Sequence, residues 1–309
     1  MTSLHSSHLS EPVISISNLV KAYGSERALD GLNLEVQPGE VHGFLGPNGA
    51  GKSTTIRILL GILKHDSGTV RLLGHDPWSG SMSLHHRLAY VPGDVELWPN
   101  LTGGEAIDLF TRLRGGVNKK KRGELIDRFD LDPRKKGRTY SKGNRQKVAL
   151  ISALASDVEL LLLDEPTAGL DPLMEAVFQD CIREAKSEGK TVLLSSHILA
   201  QVEVLADRIS ILRHGKIVET GTLDDMRHLS HTAVSVHTLQ PIPRLAQFPG
   251  VHNVQEDDGL IQFHADAAHL ADIMRELSAH RVQSITANPP TLEQILLRHY
   301  GDELEESTS

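Results

Sequence analysis

Residues 46–53, with the sequence GPNGAGKS, have the composition and spacing of a loop that binds phosphate groups. Two glycines separated by four residues precede a lysine and a serine, and glycines let successive backbone N–H groups point at phosphate oxygens. Lys52 can place a cation on the β- and γ-phosphates of a nucleotide, and the Ser53 hydroxyl can bind Mg²⁺. The residues predicted to hold the nucleotide are Gly46, Asn48, Gly49, Ala50, Gly51, Lys52, Ser53 and Thr54.

A second element of phosphate chemistry is an aliphatic run, residues 160–163, that is followed by Asp164 and Glu165. A buried strand would deliver both carboxylates at its C-terminal end, with Asp164 near the Mg²⁺ ion. Glu165 would point elsewhere, where it could deprotonate an attacking water molecule. The run is a weak signal by itself and a strong one beside the phosphate loop. We therefore predict that Ser53 and Asp164 hold the metal and that Glu165 is the general base.

The elements that must position these residues follow from the apolar patterns. Residues 41–45 are a short apolar run that leads into glycine, typical of a buried strand that feeds a loop, and residues 53–63 have Ile and Leu at helical spacing. Strands alternate with helices as far as residue 221, which predicts an α/β fold with a largely parallel sheet. Prolines and glycines followed by helical patterns indicate a helical subdomain at about residues 90–145.

Together with four further segments, these two motifs resemble those of the ATP-binding subunits of ABC transporters, in the family's order. Tyr23 lies where the family stacks an aromatic ring on adenine. Residues 140–144 (YSKGN) resemble the signature sequence, residues 168–171 (AGLD) the D-loop, and residues 195–197 (SSH) the switch region. The resemblance covers residues 13–221, and six motifs in sequence are far more specific than any one of them.

The resemblance assigns roles to individual residues in these segments. Ser141 and Gly143 would contact the γ-phosphate of a nucleotide bound by the opposite subunit, and Asp171 would couple the two sites across the dimer interface. His197 would orient the γ-phosphate. Without the resemblance, Ser141 is an ordinary helix N-cap, Tyr23 a half-buried strand residue and His197 a residue at the start of a helix.

The fold implied by the resemblance is a P-loop NTPase ABC cassette, with a mixed-sheet core, the helical subdomain and a small C-terminal α+β appendage. The implied activity is ATP hydrolysis with Mg²⁺ by a dimer of ATP-binding subunits. Such a dimer would be peripheral to the cytoplasmic face of the cell membrane and would energise a separate membrane permease. Trp98 is either a core residue or part of the groove that, in the family, receives a cytoplasmic helix of the permease.

The C-terminal appendage and the variants at residues 90–94 and 140–144 are most similar to ATPases of the drug and antibiotic export branch, in particular those for polyketide-type antibiotics such as tetronasin. Alternatives are an importer ATPase subunit, a soluble ABC ATPase acting on ribosomes or DNA, and a regulatory module that binds ATP without hydrolysing it. The single phosphate loop and the lack of long heptad repeats count against the soluble ATPase. The intact Lys52, Asp164, Glu165 and His197 count against the regulatory module.

Two segments depart from the family's pattern. Lys142 and Asn144 replace a glycine and the glutamine of the signature sequence, whose serine and second glycine are kept. Gly93 stands where the family's Q-loop has a glutamine that reaches Mg²⁺ or the attacking water, and a glycine has no side chain for this role. Asp94, Glu96 or a water molecule could take over, and the sequence does not decide between them.

The composition excludes several classes of protein. Because Cys181 is the single cysteine, no intramolecular disulfide can form. The aliphatic stretches are far shorter than the ~20 apolar residues that cross a bilayer, and a net charge of −8 argues against a general nucleic-acid binder. The 17 histidines include no HExxH-like pair, so all except His197 are interpreted as structural or exposed.

The chain is predicted to have four parts. These are a disordered leader at residues 1–12, an ATP-binding domain at 13–221, an accessory domain at 222–301 and an acidic tail at 302–309. For the accessory domain, the patterns predict strands near residues 234–236, 251–254, 260–264 and 282–285, and helices at 267–279 and 291–298.

Overall fold

The computed structural model describes residues 11–116, 118–228, 232–240, 242–257 and 259–288. These residues form two compact units that divide between Thr220 and Gly221, here called the N-terminal unit and the C-terminal unit. Nearly all of the predicted leader lies outside the described residues, as do the acidic tail and the helix predicted at 291–298. No helix in the described ranges is long and apolar enough to cross a membrane.

The N-terminal unit contains two β-sheets. Strands β1, β2 and β4 form an antiparallel sheet in the order β2-β1-β4, and the other six strands form a sheet in the order β5-β6-β7-β3-β8-β9, in which β5 to β8 and β3 run parallel. The predicted mixed sheet with a largely parallel core is confirmed. The strands are β1 (Ile14–Tyr23), β2 (Glu26–Val36), β3 (Val41–Leu45), β4 (Ser67–Leu72), β5 (Leu88–Val91), β6 (Leu160–Asp164), β7 (Thr191–Ser196), β8 (Arg208–Arg213) and β9 (Lys216–Gly221).

The parallel pairing aligns the carboxyl ends of the central strands. Leu45 of β3 lies opposite Ser196 of β7, and Asp164 of β6 lies opposite Ser195. Every residue of these three strands is buried, as expected of strands covered on both faces. The phosphate loop and the segments that follow β6 and β7 therefore leave the sheet at one edge.

Helices surround this sheet, and polar side chains define where several of them begin. Thr102 and Glu105 form a capping box at the start of α3, while Asn118, Ser141 and Asp171 accept backbone N–H bonds at the starts of α4, α5 and α6. The helices are α1 (Lys52–Leu59), α2 (Ser81–His85), α3 (Gly103–Leu113), α4 (Lys119–Arg128), α5 (Lys142–Leu154), α6 (Pro172–Ser187) and α7 (Leu199–Leu205).

The C-terminal unit is a separate α+β fold with its own core. Its strands pair antiparallel in the order β11-β12-β10-β13, and Val234, Val236 and Phe263 on the sheet share a buried cluster with Ile273 and Leu277 of α9. The four predicted strands and the helix between the last two are present. The elements are α8 (Leu223–His228), β10 (Thr232–Thr238), β11 (Val251–Asp257), β12 (Leu260–Ala265), α9 (Leu270–Ser278) and β13 (Val282–Asn288).

Candidate nucleotide-binding and hydrolysis site

The phosphate loop has a backbone that requires glycine at several positions. Gly49 and Gly51 have φ angles of +84° and +115°, in the left-handed region that favours glycine. A Cβ atom at Gly51 would also lie 2.8 Å from the carbonyl oxygen of Ala28, and one at Gly46 would overlap the carbonyl oxygen of Leu212. The loop is therefore packed tightly on β2 and β8, and α1 begins at its last two residues, Lys52 and Ser53.

Lys52 is almost buried, with 6% of its surface exposed. Its ammonium group donates hydrogen bonds to the carbonyl oxygens of Gly46 (2.6 Å) and Pro47 (3.2 Å), and lies 3.7 Å from Glu165 Oε1. Burial lowers the pKa of Lys52, and the charges of Glu165 and Asp164 oppose that shift. An ammonium group that has lost hydration in this way is well suited to an anion, because phosphate oxygens would compensate the loss.

Asp164 is buried at the end of β6 and accepts two hydrogen bonds from hydroxyl groups. The Ser53 hydroxyl donates to Asp164 Oδ2 at 3.0 Å, and the Ser195 hydroxyl donates to Asp164 Oδ1 at 2.5 Å. The hydroxyl and carboxylate oxygens of Ser53 and Asp164 are the hard donors that Mg²⁺ prefers. The pair predicted to hold the metal is therefore adjacent and has the right chemistry for it.

Glu165 and His197 are in direct contact. His197 Nδ1 lies 2.6 Å from Glu165 Oε2, while Glu165 Oε1 is buried and has no hydrogen-bond partner among the described residues. Glu165 also has a φ of +49°, a left-handed conformation that is uncommon for a residue with a side chain. The second carboxylate oxygen thus lies at ion-pair distance from Lys52 without a hydrogen bond.

These residues surround one cavity of about 170 Å³ at the edge of the sheet. Phosphate-loop residues and the two acids that follow β6 contribute to its wall, so the structure assembles residues that are more than 100 positions apart in the sequence. The residues that line it are Pro47, Asn48, Gly49, Gly51, Lys52, Ser53, Thr54, Asp164 and Glu165.

Comparison with known proteins identifies the family. A model of the ABC transporter family matches residues 29–168. The daunorubicin resistance ATP-binding protein DrrA3 of Streptomyces coeruleorubidus is 39% identical over 224 residues, 71% of each chain. The linearmycin resistance ATP-binding protein LnrL of Bacillus subtilis (strain 168) is 30% identical over 314 aligned positions, 95% of this chain and 100% of the relative. The chain belongs to the ABC transporter ATP-binding family.

Solved structures share the fold of this ABC ATP-binding subunit. An ATP-binding subunit of an ABC transporter has a TM-score of 0.65 at 31% identity, covering 70% of this chain and 92% of its own. A dimeric ATP-binding cassette in a post-hydrolysis state, bound to ADP and Pi, has a TM-score of 0.62 at 25% identity, covering 68% of this chain and 98% of its own. The predicted ABC cassette fold and ATPase activity coupled to transport are thereby confirmed.

The remaining predicted contacts lie outside the cavity. Tyr23 is half exposed at the end of β1, with the Lys21 ammonium 5.8 Å from its ring centroid. The Ser141 hydroxyl accepts from the backbone N–H of Asn144, and the Asp171 carboxylate accepts from that of Met174, so both cap helices. None of the residues predicted to act across a dimer therefore lines the phosphate-loop cavity of its own chain.

The signature segment and the D-loop of one chain are in close contact. A Cβ atom at Gly143 would overlap the carbonyl oxygen of Gly169, so only glycine fits at this position without a shift of one loop. The Lys142 side chain also lies near Gly169. The second glycine of the signature segment therefore has a packing role in addition to the predicted contact with phosphate.

Two buried glutamines at the site were not predicted from the sequence. Gln146 on α5 donates to the carbonyl oxygens of Pro92 and Pro166, and Gln201 on α7 accepts from the Thr167 hydroxyl at 2.7 Å. In α5, Gln146 stands just before a run of buried residues, 148–154, most of which are apolar. A glutamine next to such a run could have indicated a buried side chain that needs hydrogen-bond partners.

The Q-loop segment after β5 supplies no carboxylate to the cavity among the described residues. Asp94 and Glu96 are both exposed, and neither lines the phosphate-loop cavity. A Cβ atom at Gly93 would lie 3.2 Å from the carbonyl oxygen of Asp164 and 3.2 Å from Glu165 Cβ, so a side chain at this position would be crowded by the segment that follows β6. What replaces the family's glutamine is therefore not Asp94 or Glu96 in this conformation.

A second cavity, of about 210 Å³, lies between the Q-loop segment and the helices α3 and α5. Trp98, which is 51% exposed, is not a core residue, and its ring centroid lies 5.7 Å from that of Phe110 at the cavity wall. Burial and the Asp164 charge raise the pKa of Tyr90, another wall residue, to about 12, so its phenol stays neutral. The lining residues are Tyr90, Pro92, Val95, Glu96, Phe110, Arg114, Ala149 and Ser152.

Proposed function

We propose that this ABC subunit binds ATP with Mg²⁺ at the phosphate-loop cavity and hydrolyses it to drive a separate permease that exports antibiotic-type organic molecules. One observation carries the proposal. Lys52, Ser53, Asp164 and Glu165 line one cavity, and His197 contacts Glu165 at its edge.

Each residue of the cavity would have a defined task. Lys52 would exchange the carbonyl oxygens of Gly46 and Pro47 for β- and γ-phosphate oxygens, whose negative charge would offset the desolvation of its ammonium group. Ser53 and Asp164 would hold Mg²⁺, which when bound neutralises charge on the phosphates.

Hydrolysis would use the two side chains that are in contact at the cavity edge. Glu165 would accept a proton from the attacking water through the oxygen that has no hydrogen-bond partner, and His197 would hold the other oxygen and orient the γ-phosphate. Tyr23 would stack on the adenine ring from the end of β1.

A complete site would need two chains. Ser141, Gly143 and Asp171 lie outside the cavity of their own chain, which supports a role for them at the nucleotide of a partner subunit. The similar cassette of the solved dimer, bound to ADP and Pi, supports the same arrangement. The sandwich of two subunits is thus part of the proposal.

The permease would dock at the second cavity. This surface is largely apolar, includes the exposed Trp98 beside Phe110, and lies next to Pro92, which precedes the segment that contacts Glu165. A helix inserted there would hold the subunit at the cytoplasmic face of the membrane. Export of antibiotics is supported by relatives named for resistance to daunorubicin and linearmycin and for transport of bacitracin. A tetronasin-type cargo stays a prediction.

Steady-state ATP hydrolysis by the purified chain, with Glu165→Gln beside the wild type, tests the proposal. General-base catalysis contributes about 10²–10⁴-fold, so we expect a loss in that range with ATP still bound and a stable dimer. Glu159→Gln, an exposed change in the residue before β6, is the control and should keep the wild-type rate. Equal rates for wild type and Glu165→Gln would exclude Glu165 as the base, and no hydrolysis by either would support the regulatory module.

A further inference from the structure

Gln146, a fully buried glutamine on α5, joins three segments of the hydrolysis site. Its Nε2 donates to the carbonyl oxygens of Pro92 (3.3 Å) and Pro166 (3.0 Å). Pro92 follows β5, and Pro166 follows Glu165 directly after β6. One side-chain amide therefore connects the helix that begins at the signature segment with the ends of two neighbouring strands.

The orientation of this amide is fixed by its partners. Carbonyl oxygens only accept hydrogen bonds, so the NH₂ group of Gln146 must face Pro92 and Pro166. Its Oε1 is then buried without a hydrogen-bond partner among the described residues. A buried unpaired acceptor is unfavourable, and such exceptions in folded proteins call for an explanation beyond packing. The two hydrogen bonds that Gln146 donates explain why its oxygen is left without a partner.

The segment that Gln146 holds is the Glu165 turn, defined here as residues 165–167. Glu165 adopts a left-handed conformation, which persists in a residue with a side chain only where the surroundings enforce it. Gln146 holds the turn through the carbonyl oxygen of Pro166, and Gln201 holds it through the Thr167 hydroxyl. The catalytic carboxylate is therefore fixed from two helices.

Because residue 93 is a glycine in this chain, the hydrogen bonds of Gln146 are a connection between the Q-loop segment and the Glu165 turn that residue 93 cannot supply. The family's Q-loop glutamine is absent, and Gly93, which stands in its place beside the Glu165 turn, has no side chain to donate a hydrogen bond. The amide that reaches both the Q-loop segment and the turn comes instead from α5.

We propose that Gln146 is a positioning residue that sets the orientation of Glu165 and transmits movement of the signature helix to it. The inference rests on the proposed function, in which Glu165 is the general base. When α5 moves as a partner's nucleotide engages the signature segment, Pro92 and Pro166 move with the amide. Hydrolysis in one chain is thereby tied to the position of its own α5.

The first test replaces Gln146 with glutamate, which has the same shape but no N–H donors in its charged form. A carboxylate facing two carbonyl oxygens would release the turn, and misplacement of a reacting group by about 1 Å lowers rates by roughly 10²-fold. For Q146E we expect kcat to fall about 10–100-fold and the Kd of a non-hydrolysable ATP analogue to change less than about threefold. Ser156→Ala, a buried polar change just after the same helix, is the matched control and should leave both values unchanged.

A double variant separates positioning from a structural defect. If Gln146 acts through Glu165, then Q146E should slow the wild type but add nothing to the slow rate of E165Q. Gln146→Met, which fills the space without charge, repeats the test if Q146E fails to fold, and thermal unfolding of each variant identifies that case. Equal kcat for wild type and both Gln146 variants, or a further loss in the double variant, would overturn the proposal.

The outcomes also distinguish this inference from the proposed function. A wild-type chain that does not hydrolyse ATP, or one whose rate is unaffected by E165Q, removes the proposed function and the inference with it. A wild type that is slowed by E165Q but not by Q146E removes the inference alone.

Discussion

The two units of this chain differ in net charge and in the kind of side chains that they bury. Residues 1–220 contain 27 Lys and Arg against 27 Asp and Glu, whereas residues 221–309 contain 5 against 13, so the C-terminal part carries the whole net charge of −8. The N-terminal unit gathers buried polar side chains at one edge of its sheet, and the C-terminal unit, as far as it is described, buries an almost entirely apolar cluster.

The relatives align over different shares of the chain. The daunorubicin resistance protein matches 71% of the chain at 39% identity, while the linearmycin resistance protein matches 95% at 30%. A phosphate loop or a catalytic carboxylate tolerates few substitutions, since geometry and charge must both be kept. A core that only has to exclude water accepts many apolar sequences of similar volume. Three substitutions, taken from the largest expected effect to the smallest, test how separate the two units are.

Phe263→Ala should destabilise the C-terminal unit alone. Phe263 is buried on β12, and removing a buried aromatic ring typically costs about 3–5 kcal/mol. Calorimetry should show one unfolding transition shifted down and a second unchanged, with ATP hydrolysis by the chain preserved. Phe248→Ala, at the partly buried edge of the same cluster, should have a smaller effect. If hydrolysis falls together with the first transition, then the units are not independent in stability.

Lys52→Ala should have the opposite pattern. Loss of one positioned cationic donor to developing negative charge lowers rates by about 10²–10³-fold, and the unfolding transition of the C-terminal unit should not move because Lys52 and its hydrogen-bond partners all lie in the N-terminal unit. ATP hydrolysis and binding are the measurements, and Lys64→Ala, an exposed lysine beyond α1, is the control. Retention of ATP affinity in Lys52→Ala would remove the phosphate loop from the proposed site.

Gly143→Ala should give the smallest of the three losses, and only in the N-terminal unit. The added Cβ overlaps the carbonyl oxygen of Gly169, and forced overlaps of this kind cost about 1–3 kcal/mol. Gly123→Ala on α4 is the matched control, because its Cβ meets nothing within 4 Å and should raise helix stability by about 0.5–1 kcal/mol. The free energy of unfolding of each variant checks the pair, and equal values for both would show that the two loops yield to each other.

Much of the fold and part of the site could be predicted from the sequence because the informative residues are local. The phosphate loop is eight consecutive residues, and Asp164 with Glu165 ends an aliphatic strand, so a short window shows both pattern and element. Parallel pairing of β3, β6 and β7 then brings them together, as the alternation of strands and helices indicated. The strands of the C-terminal unit were equally visible as alternating patterns.

The rest depends on contacts across long separations. Gln146 reaches Pro92 over 54 positions, and Thr167 reaches Gln201 over 34, so neither pair has a local signature. The exposure of Trp98 likewise depends on how Phe110 is placed beside it. The residues adjacent to Trp98 in the sequence do not distinguish a core position from a position in the groove. The sequence around Gly93 showed that the family's glutamine is absent. It did not show that the Gln146 amide connects the Q-loop segment with the Glu165 turn.

At position 165, the left-handed backbone favours glycine, whereas the proposed ATP hydrolysis requires glutamate. A residue with a side chain in this conformation is less favourable than glycine by roughly 1–2 kcal/mol, so the backbone energy by itself favours glycine at position 165, whereas the proposed general base requires a carboxylate there. Selection for heat resistance alone would therefore favour loss of the carboxylate. An engineer seeking a more robust version of this protein should exclude position 165 from stabilising libraries and look for compensation elsewhere.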